Sequence, residues 1–268
     1  MACTSAAGAH SRREKEAASI ETAARQSREQ QAAAILRRAV ELGATRAGIV
    51  SVEALRRAPS YELAARSPDL PVVVWPEGAR TVVVIALAHP REHPELDWWS
   101  GRIDPPGNRL LAAIVGGLCE WIPRTFGIAC VHLPYHVEKG GIYLKDAAVL
   151  AGLGSIGRNN LLVVPGYGPL VRLRALTLDV ALPSTGPVAL DPCAGCPAPC
   201  QAACPRGAFG DNEQLEAERA GPVGLPGGFS RTACFLQMDA DIAVAGEPAV
   251  IRYCRACELT CTGATRSE

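Results

Sequence analysis

Apolar residues recur at helical spacing over Gln31 to Leu42, with Ile35, Leu36, Val40 and Leu42 in phase, and Gly43 ends the pattern. Ala47 to Val50 then reads as a strand. Thr81 to Leu87 (TVVVIAL) is a continuous β-branched run of the kind found in a strand covered on both faces. His89 to Pro106 breaks the pattern with prolines, polar residues and the pair Trp98-Trp99, and reads as a loop. A helix is predicted over Asn108 to Trp121, with Leu110, Leu111, Ile114, Val115, Leu118 and Trp121 on its apolar side. Ile128 to Leu133, Leu161 to Val164 and Leu170 to Leu178 read as strands, and Lys145 to Leu150 as a helix. Helices and strands alternate, so the fold class is α/β or α+β. Residues 1 to 28 are rich in Ala, Glu and Arg without an aromatic, and are expected to form a mobile or loosely helical tail.

At Pro183 the texture changes. Strand-like runs become scarce, Pro and Gly frequent, and eight of the 11 Cys follow. So small an apolar content needs staples or metals to hold a fold. A boundary near Leu182 to Pro187 divides an α/β domain, 29–185, from a cysteine-rich one, 186–268.

Composition narrows the function. Of 268 residues, 48% are hydrophobic and 20% charged, which excludes global disorder. Lys plus Arg is 27 and Asp plus Glu is 27, and zero net charge argues against nucleic acid or an anionic membrane as partner. No apolar run reaches about 18 residues, the length of a membrane span. The first residues lack the apolar stretch of a secretory signal, and Arg12-Arg13 is followed by Glu14-Lys15-Glu16. A cytoplasmic location is expected. Thiols there stay reduced, and clustered ones read as metal ligands.

The cysteines carry the strongest chemical signal. Cys193, Cys196, Cys200 and Cys204 run as C-x2-C-x3-C-x3-C-P, and Cys234 precedes Cys254, Cys257 and Cys261 as C-x19-C-x2-C-x3-C. Two-cluster ferredoxins use C-x2-C-x2-C-x3-C-P, whose fourth Cys ligates the other cluster. By that logic Cys193, Cys196, Cys200 and Cys261 hold one [4Fe–4S] cluster, and Cys204, Cys234, Cys254 and Cys257 hold a second. Two departures stand out: one extra residue between Cys196 and Cys200, and Thr262 rather than Pro after Cys261. The alternative is structural zinc, which pairs two C-x2-C knuckles into one tetrahedron. Cys119 and Cys130 read as plain core residues, and Cys3 as an idle residue of the tail.

Gly152-Leu-Gly154-Ser-Ile-Gly157 fits the dinucleotide pattern G-x-G-x-x-G, with Asp179 22 residues beyond it. That motif needs a strand before it and a helix after it. Here a helix precedes and a strand follows, so a nicotinamide site is rejected. The glycines permit either close approach to a large flat ligand or a simple tight turn.

The string Ala151-Gly-Leu-Gly-Ser-Ile-Gly-Arg-Asn159, then Leu161-Leu-Val163, Tyr167-Gly168 and Thr177-Leu-Asp179, followed by the ferredoxin-like cysteines, resembles the epoxyqueuosine reductases. More distantly it resembles the cobalamin-dependent reductive dehalogenases. The resemblance runs from about Ile35 to Cys261. It implies a nitroreductase-like α/β domain that holds cobalamin and a ferredoxin domain with two [4Fe–4S] clusters that pass electrons to the cobalt. Gly152, Gly154, Gly157, Arg158 and Asn159 are then expected near the cofactor. The family's proton-donating carboxylate falls by offset near Glu138, with Tyr143, Lys145 and Asp146 as competitors. Epoxyqueuosine reductases continue into helical repeats that help bind tRNA, whereas this sequence ends seven residues after Cys261.

Three further features have both a chemical and a bland reading. His132 and His136 flank Tyr135 after a strand, as cobalt ligands or ordinary histidines. Trp98-Trp99 covers a flat ligand or the core. Arg172 and Arg174 face a ligand's phosphate or propionamides, or solvent. The expectation is an iron–sulfur oxidoreductase that takes electrons from a ferredoxin- or flavodoxin-type protein and reduces a small molecule or a corrinoid. The alternatives are an electron carrier or corrinoid-reducing activator without its own cobalamin, and a tRNA epoxyqueuosine reductase.

Overall fold

Alternate residues of the central strands enter two different apolar cores, and this sets the architecture. The computed structural model describes residues 5–100, 104–209, 228–245 and 250–263, with backbone alone for 5–18 and 20. In chain order come α1 (Ser5–Glu41), β1 (Arg46–Ser51), α2 (Val52–Arg56), α3 (Pro59–Ala64), β2 (Thr81–Ala88), β3 (Trp99–Ser100), α4 (Pro106–Phe126) and β4 (Cys130–His132). Then follow α5 (Leu144–Leu150), β5 (Ser155–Ile156), β6 (Leu162–Val163), β7 (Val171–Leu178), α6 (Pro199–Ala202), α7 (Arg231–Ala245), β8 (Val250–Ile251) and α8 (Ala256–Leu259). Single 3-10 turns lie at Pro94–Asp97 and Val137–Lys139.

The main sheet has the order β1-β2-β7-β4, and all its neighbours are antiparallel. On β2, Val82, Val84 and Ala86 join Val50, Leu55, Ala147, Ala148 and Ala175 on one face. Val83 and Ile85 join Ile49, Ile35, Leu111, Leu118 and Leu176 on the other. Thus α2 and α5 cover one face, and α1 and α4 cover the other. Double coverage explains why β2 reads as an unbroken apolar run although its partners are antiparallel: burial on both faces, rather than strand direction, demands it.

Local sequence explains the helix limits. α4 opens with Pro106 in its first turn, where a missing N–H costs nothing. Leu111, Ile114, Val115, Leu118 and Ile122 recur every three or four residues and are buried. Gly127 ends the helix in the left-handed region at φ 68°. The helix is longer at both ends than the apolar pattern predicts. Of the two forms expected for residues 1–28, the described part, from Ser5 on, takes the helical one as part of α1. The expected loop His89 to Pro106 contains a 3-10 turn and β3, and β3 pairs with β8 (Trp99↔Ile251). Trp98-Trp99 therefore serves this ribbon. Arg252 stacks on Trp98 at 4.5 Å and Tyr253 packs edge-on against Trp99.

Beyond β7 the chain returns along β1, where Thr185 Oγ1 accepts from Ile49 N–H (2.8 Å) and donates to Ala151 O (2.6 Å). The cysteine-rich segment then begins. Among the described residues, no helix is long and apolar enough to cross a membrane.

Candidate functional site

Helices α6 and α8 are four residues each and pack on one another, bringing the two cysteine segments together. Of their eight cysteines, Cys200 is buried and Cys254 exposed, and the others lie between. Burial raises the Cys200 thiol, and the neighbouring Cys261, Cys193 and Cys196 raise it further. Cys257 is pushed up to about 12, first by burial, then by Cys234, Glu258, Cys254 and Cys204. Cys234 is raised by burial and then by Cys204 and Cys254. By these neighbours the cysteines fall into two interleaved quartets, 193/196/200/261 about Cys200 and 204/234/254/257 about Cys257. Burial and crowding thus disfavour the thiolates of Cys200, Cys234 and Cys257. Among the described residues, no three His, Cys, Asp or Glu side chains gather as a single metal ion requires.

Cys119 and Cys130 differ from the expectation. They form a disulfide between α4 and β4, with 5.2 Å between their Cα atoms. Neighbouring placement on a helix and a strand cannot be read from either local pattern. Cys3 lies outside the described residues.

The glycine loop joins the cysteine segments to the sheet layer. Gly152 has φ +76°, and a Cβ on Gly154 would meet Val163 O at 2.1 Å. A Cβ on Gly157 would lie 2.8 Å from Val163 Cγ2 and 3.6 Å from Cys193 Sγ. Close approach of the protein's own backbone therefore accounts for these glycines. The Arg158 amide donates to Cys193 Sγ (3.3 Å) and its guanidinium to Cys196 O (3.1 Å). Asn159 Nδ2 donates to Cys257 O (3.3 Å). The loop touches both quartets.

A cavity of about 240 Å³ opens beside α5, lined by Ser60, Tyr135, His136, Glu138, Tyr143, Lys145, Asp146 and Arg231 among others. Arg231 starts α7, three residues before Cys234, so the cavity lies between the sheet layer and the second cysteine segment. Glu138 is exposed at its edge and 3.4 Å from His136 Nδ1. The Tyr143 hydroxyl donates to Pro71 O (2.8 Å), and burial raises its pKa. Lys145 is half-buried and its pKa falls to about 8 through desolvation. Its Nζ donates to Asn160 O (2.7 Å) and Oδ1 (3.0 Å). Asp146 accepts from Ser60 N–H (2.9 Å) and Ser60 Oγ–H (3.0 Å); burial raises its pKa against these bonds.

His132 lies elsewhere, on β4, where burial and then Arg174 lower its pKa. Arg172 and Arg174 are not a solvated strand face. Arg174 is buried and stacks on Tyr135 at 5.2 Å, and Arg172 binds Asp97 and Asn108. Sequence reasoning missed Asp97 and His89 altogether, because nothing local marks a charged residue that will be paired across the fold.

Among solved structures, an epoxyqueuosine reductase from Streptococcus thermophilus superposes with a TM-score of 0.58 at 21% identity, covering 87% of this chain and 66% of that one. The chain has the epoxyqueuosine reductase fold. The Bacillus subtilis epoxyqueuosine reductase gives 0.59 at 19% identity, with 89% and 66% covered. This chain thus spans about two thirds of the length of those reductases. A B12-dependent reductive dehalogenase superposes at 0.47 and 19% identity, over 87% of this chain and 35% of that one. No family model matches the sequence, and no curated protein matches it by sequence.

Proposed function

We propose that this protein is an iron–sulfur oxidoreductase whose two [4Fe–4S] clusters deliver single electrons to a ligand in the cavity beside α5. The observation that carries the reading is the interleaving of the eight cysteines, with Cys204 among the neighbours of Cys257 in the second segment and Cys261 among those of Cys200 in the first. Interleaving is what a two-cluster ferredoxin does with its fourth cysteine. Iron cations also remove the obstacle that burial and crowding raise against these thiolates. Cys193, Cys196, Cys200 and Cys261 hold one cluster; Cys204, Cys234, Cys254 and Cys257 hold the other. Arg158 N–H donates to the sulfur of the first, and such bonds set cluster potential.

Cobalamin is the acceptor implied by the fold's reductases and by the sequence resemblance. The cavity is open to solvent and has room for only the edge of a corrin ring, and Arg231 in its wall is a donor suited to an amide carbonyl on that edge. When bound there, a corrinoid supplies a low-potential metal centre for two-electron reduction of a small molecule. Lys145 Nζ, held by Asn160 and protonated below about pH 8, is the group best placed to return a proton to the reduced ligand. Tyr143 and Glu138 stand beside it, Tyr143 committed to Pro71 and Glu138 to His136. The electron source is a ferredoxin- or flavodoxin-type protein.

The test is retention. Protein purified without oxygen is reduced, mixed with hydroxocobalamin and desalted. A stoichiometric corrinoid whose absorption shows reduction supports the enzyme. Reduced clusters with no retained corrinoid leave an electron carrier. Transfer RNA as substrate has a precedent in one neighbour, a reductase solved with an epoxyqueuosine-modified tRNA stem loop, but zero net charge weighs against it here.

A further inference from the structure

Five charged or polar side chains from distant parts of the sequence meet in one buried network that the proposed chemistry leaves unused. Asp97, in the 3-10 turn after β2, lies at its centre and is 7% exposed. His89 Nδ1 sits 2.5 Å from Asp97 Oδ2, and Arg172 Nε donates to Asp97 Oδ1 at 2.5 Å. Arg255 NH1 pairs with the same carboxylate. Arg255 also grips Glu258 with two bonds of 2.9 Å, and His89 Nε2 is 3.3 Å from Glu258 Oε1. Burial alone would raise the Asp97 carboxyl, but His89, Arg172 and Arg255 hold it below the usual carboxylate range. Gly107 keeps room for this arrangement, since a Cβ there would meet Arg172 Cδ at 3.1 Å and Leu96 O at 2.9 Å.

A buried ion network is a weak source of stability, because desolvation offsets its Coulomb gain. Its geometry, by contrast, is strict. The network joins the ends of β2 and β7 to the peptide that carries Cys254 and Cys257. Arg255 directly follows the first of these cysteines and Glu258 directly follows the second.

We infer that Asp97, with His89 and Arg172, is the positioning anchor of Arg255, which sets the potential of the cluster held by Cys204, Cys234, Cys254 and Cys257. The inference rests on the iron–sulfur reading above. A guanidinium that directly follows Cys254 and is bound to Glu258, whose carboxylate acts on Cys257, favours the reduced, more negative state of this cluster. Charge around a cluster is one of the levers on its potential.

The test is a redox titration of the anaerobic holoprotein, following each cluster by electron paramagnetic resonance, with iron counted in every sample. Arg255→Gln is expected to lower the second cluster's midpoint enough to change its reduced-to-oxidised ratio about tenfold, 59 mV for one electron. Arg255→Lys keeps the charge and is expected to stay near the parent value. Asp97→Asn, which leaves two guanidinium groups uncompensated, is expected to shift the midpoint upward. The first cluster's midpoint stays put throughout. Opposite signs from two substitutions in one network are beyond a merely structural effect. Should Asp97→Asn release its iron, the Arg255 pair decides alone. Eight irons with an unmoved second midpoint in Arg255→Gln, or equal shifts in both clusters, overturn the inference. An iron count far from eight in the parent protein overturns the underlying reading instead.

Discussion

Leu118 of α4 and Cys200 of α6 are both buried, but among different neighbours. Leu118 lies in an apolar cluster with Val83, Ile85, Leu111 and Leu176, and needs nothing from outside the chain. Cys200 lies near Cys261, Cys193 and Cys196, and burial first and then these neighbours oppose its ionisation. The contrast extends to whole elements. α4 buries seven residues, whereas α7 and α8 bury none. One region is held by apolar area removed from water; the other buries little of its own, and on the iron–sulfur reading proposed above it is held by iron.

Iron removal should break this comparison most strongly. A chelator under reducing conditions is expected to unfold the cysteine-rich region, with a loss on the order of 10 kcal/mol if iron resembles structural zinc. Hydrogen exchange checks it: amides of 231–245 lose protection while those of Thr81–Ala88 keep theirs. Leu118→Ala should do the reverse, costing about 2–5 kcal/mol in thermal unfolding with the iron content unchanged.

The disulfide sharpens the line between two kinds of cysteine. Cys119→Ser closes no loop in the unfolded chain and is expected to cost about 3 kcal/mol while iron stays at its parent value. Cys200→Ser should lose iron instead. The smallest effect concerns Lys145. Its folded pKa, about 8, lies below its ordinary 10.5 because burial disfavours the ammonium. Between those values the unfolded chain binds more protons, so stability rises with pH from about 8 to 10.5. Lys145→Met should flatten that rise, worth roughly 2 kcal/mol after allowance for Asp146, in denaturant titrations run at pH 7.5 and 10.

What was legible in the sequence follows from the range of each interaction. β2, β7 and the body of α4 were readable because burial imprints a period on neighbouring residues. α2 and α3 were missed, being five and six residues long, too short to show one. The cysteine spacings carry a readable pattern because they follow the ligand order of two-cluster ferredoxins, the basis of the proposed assignment. The glycine loop was visible as a motif, yet its partners, Val163, Thr185 and Cys193, were not. The Asp97 network was invisible, since His89, Arg172 and Arg255 are separated by more than 80 residues each and look like ordinary charged positions.

The most direct test counts iron, zinc and cobalt per chain in protein made and purified without oxygen from cobalamin-fed cells. Two cubanes predict about eight irons per chain and negligible zinc. One or two zinc ions in place of iron would contradict the account, because eight thiols would then hold a fold and carry no electrons.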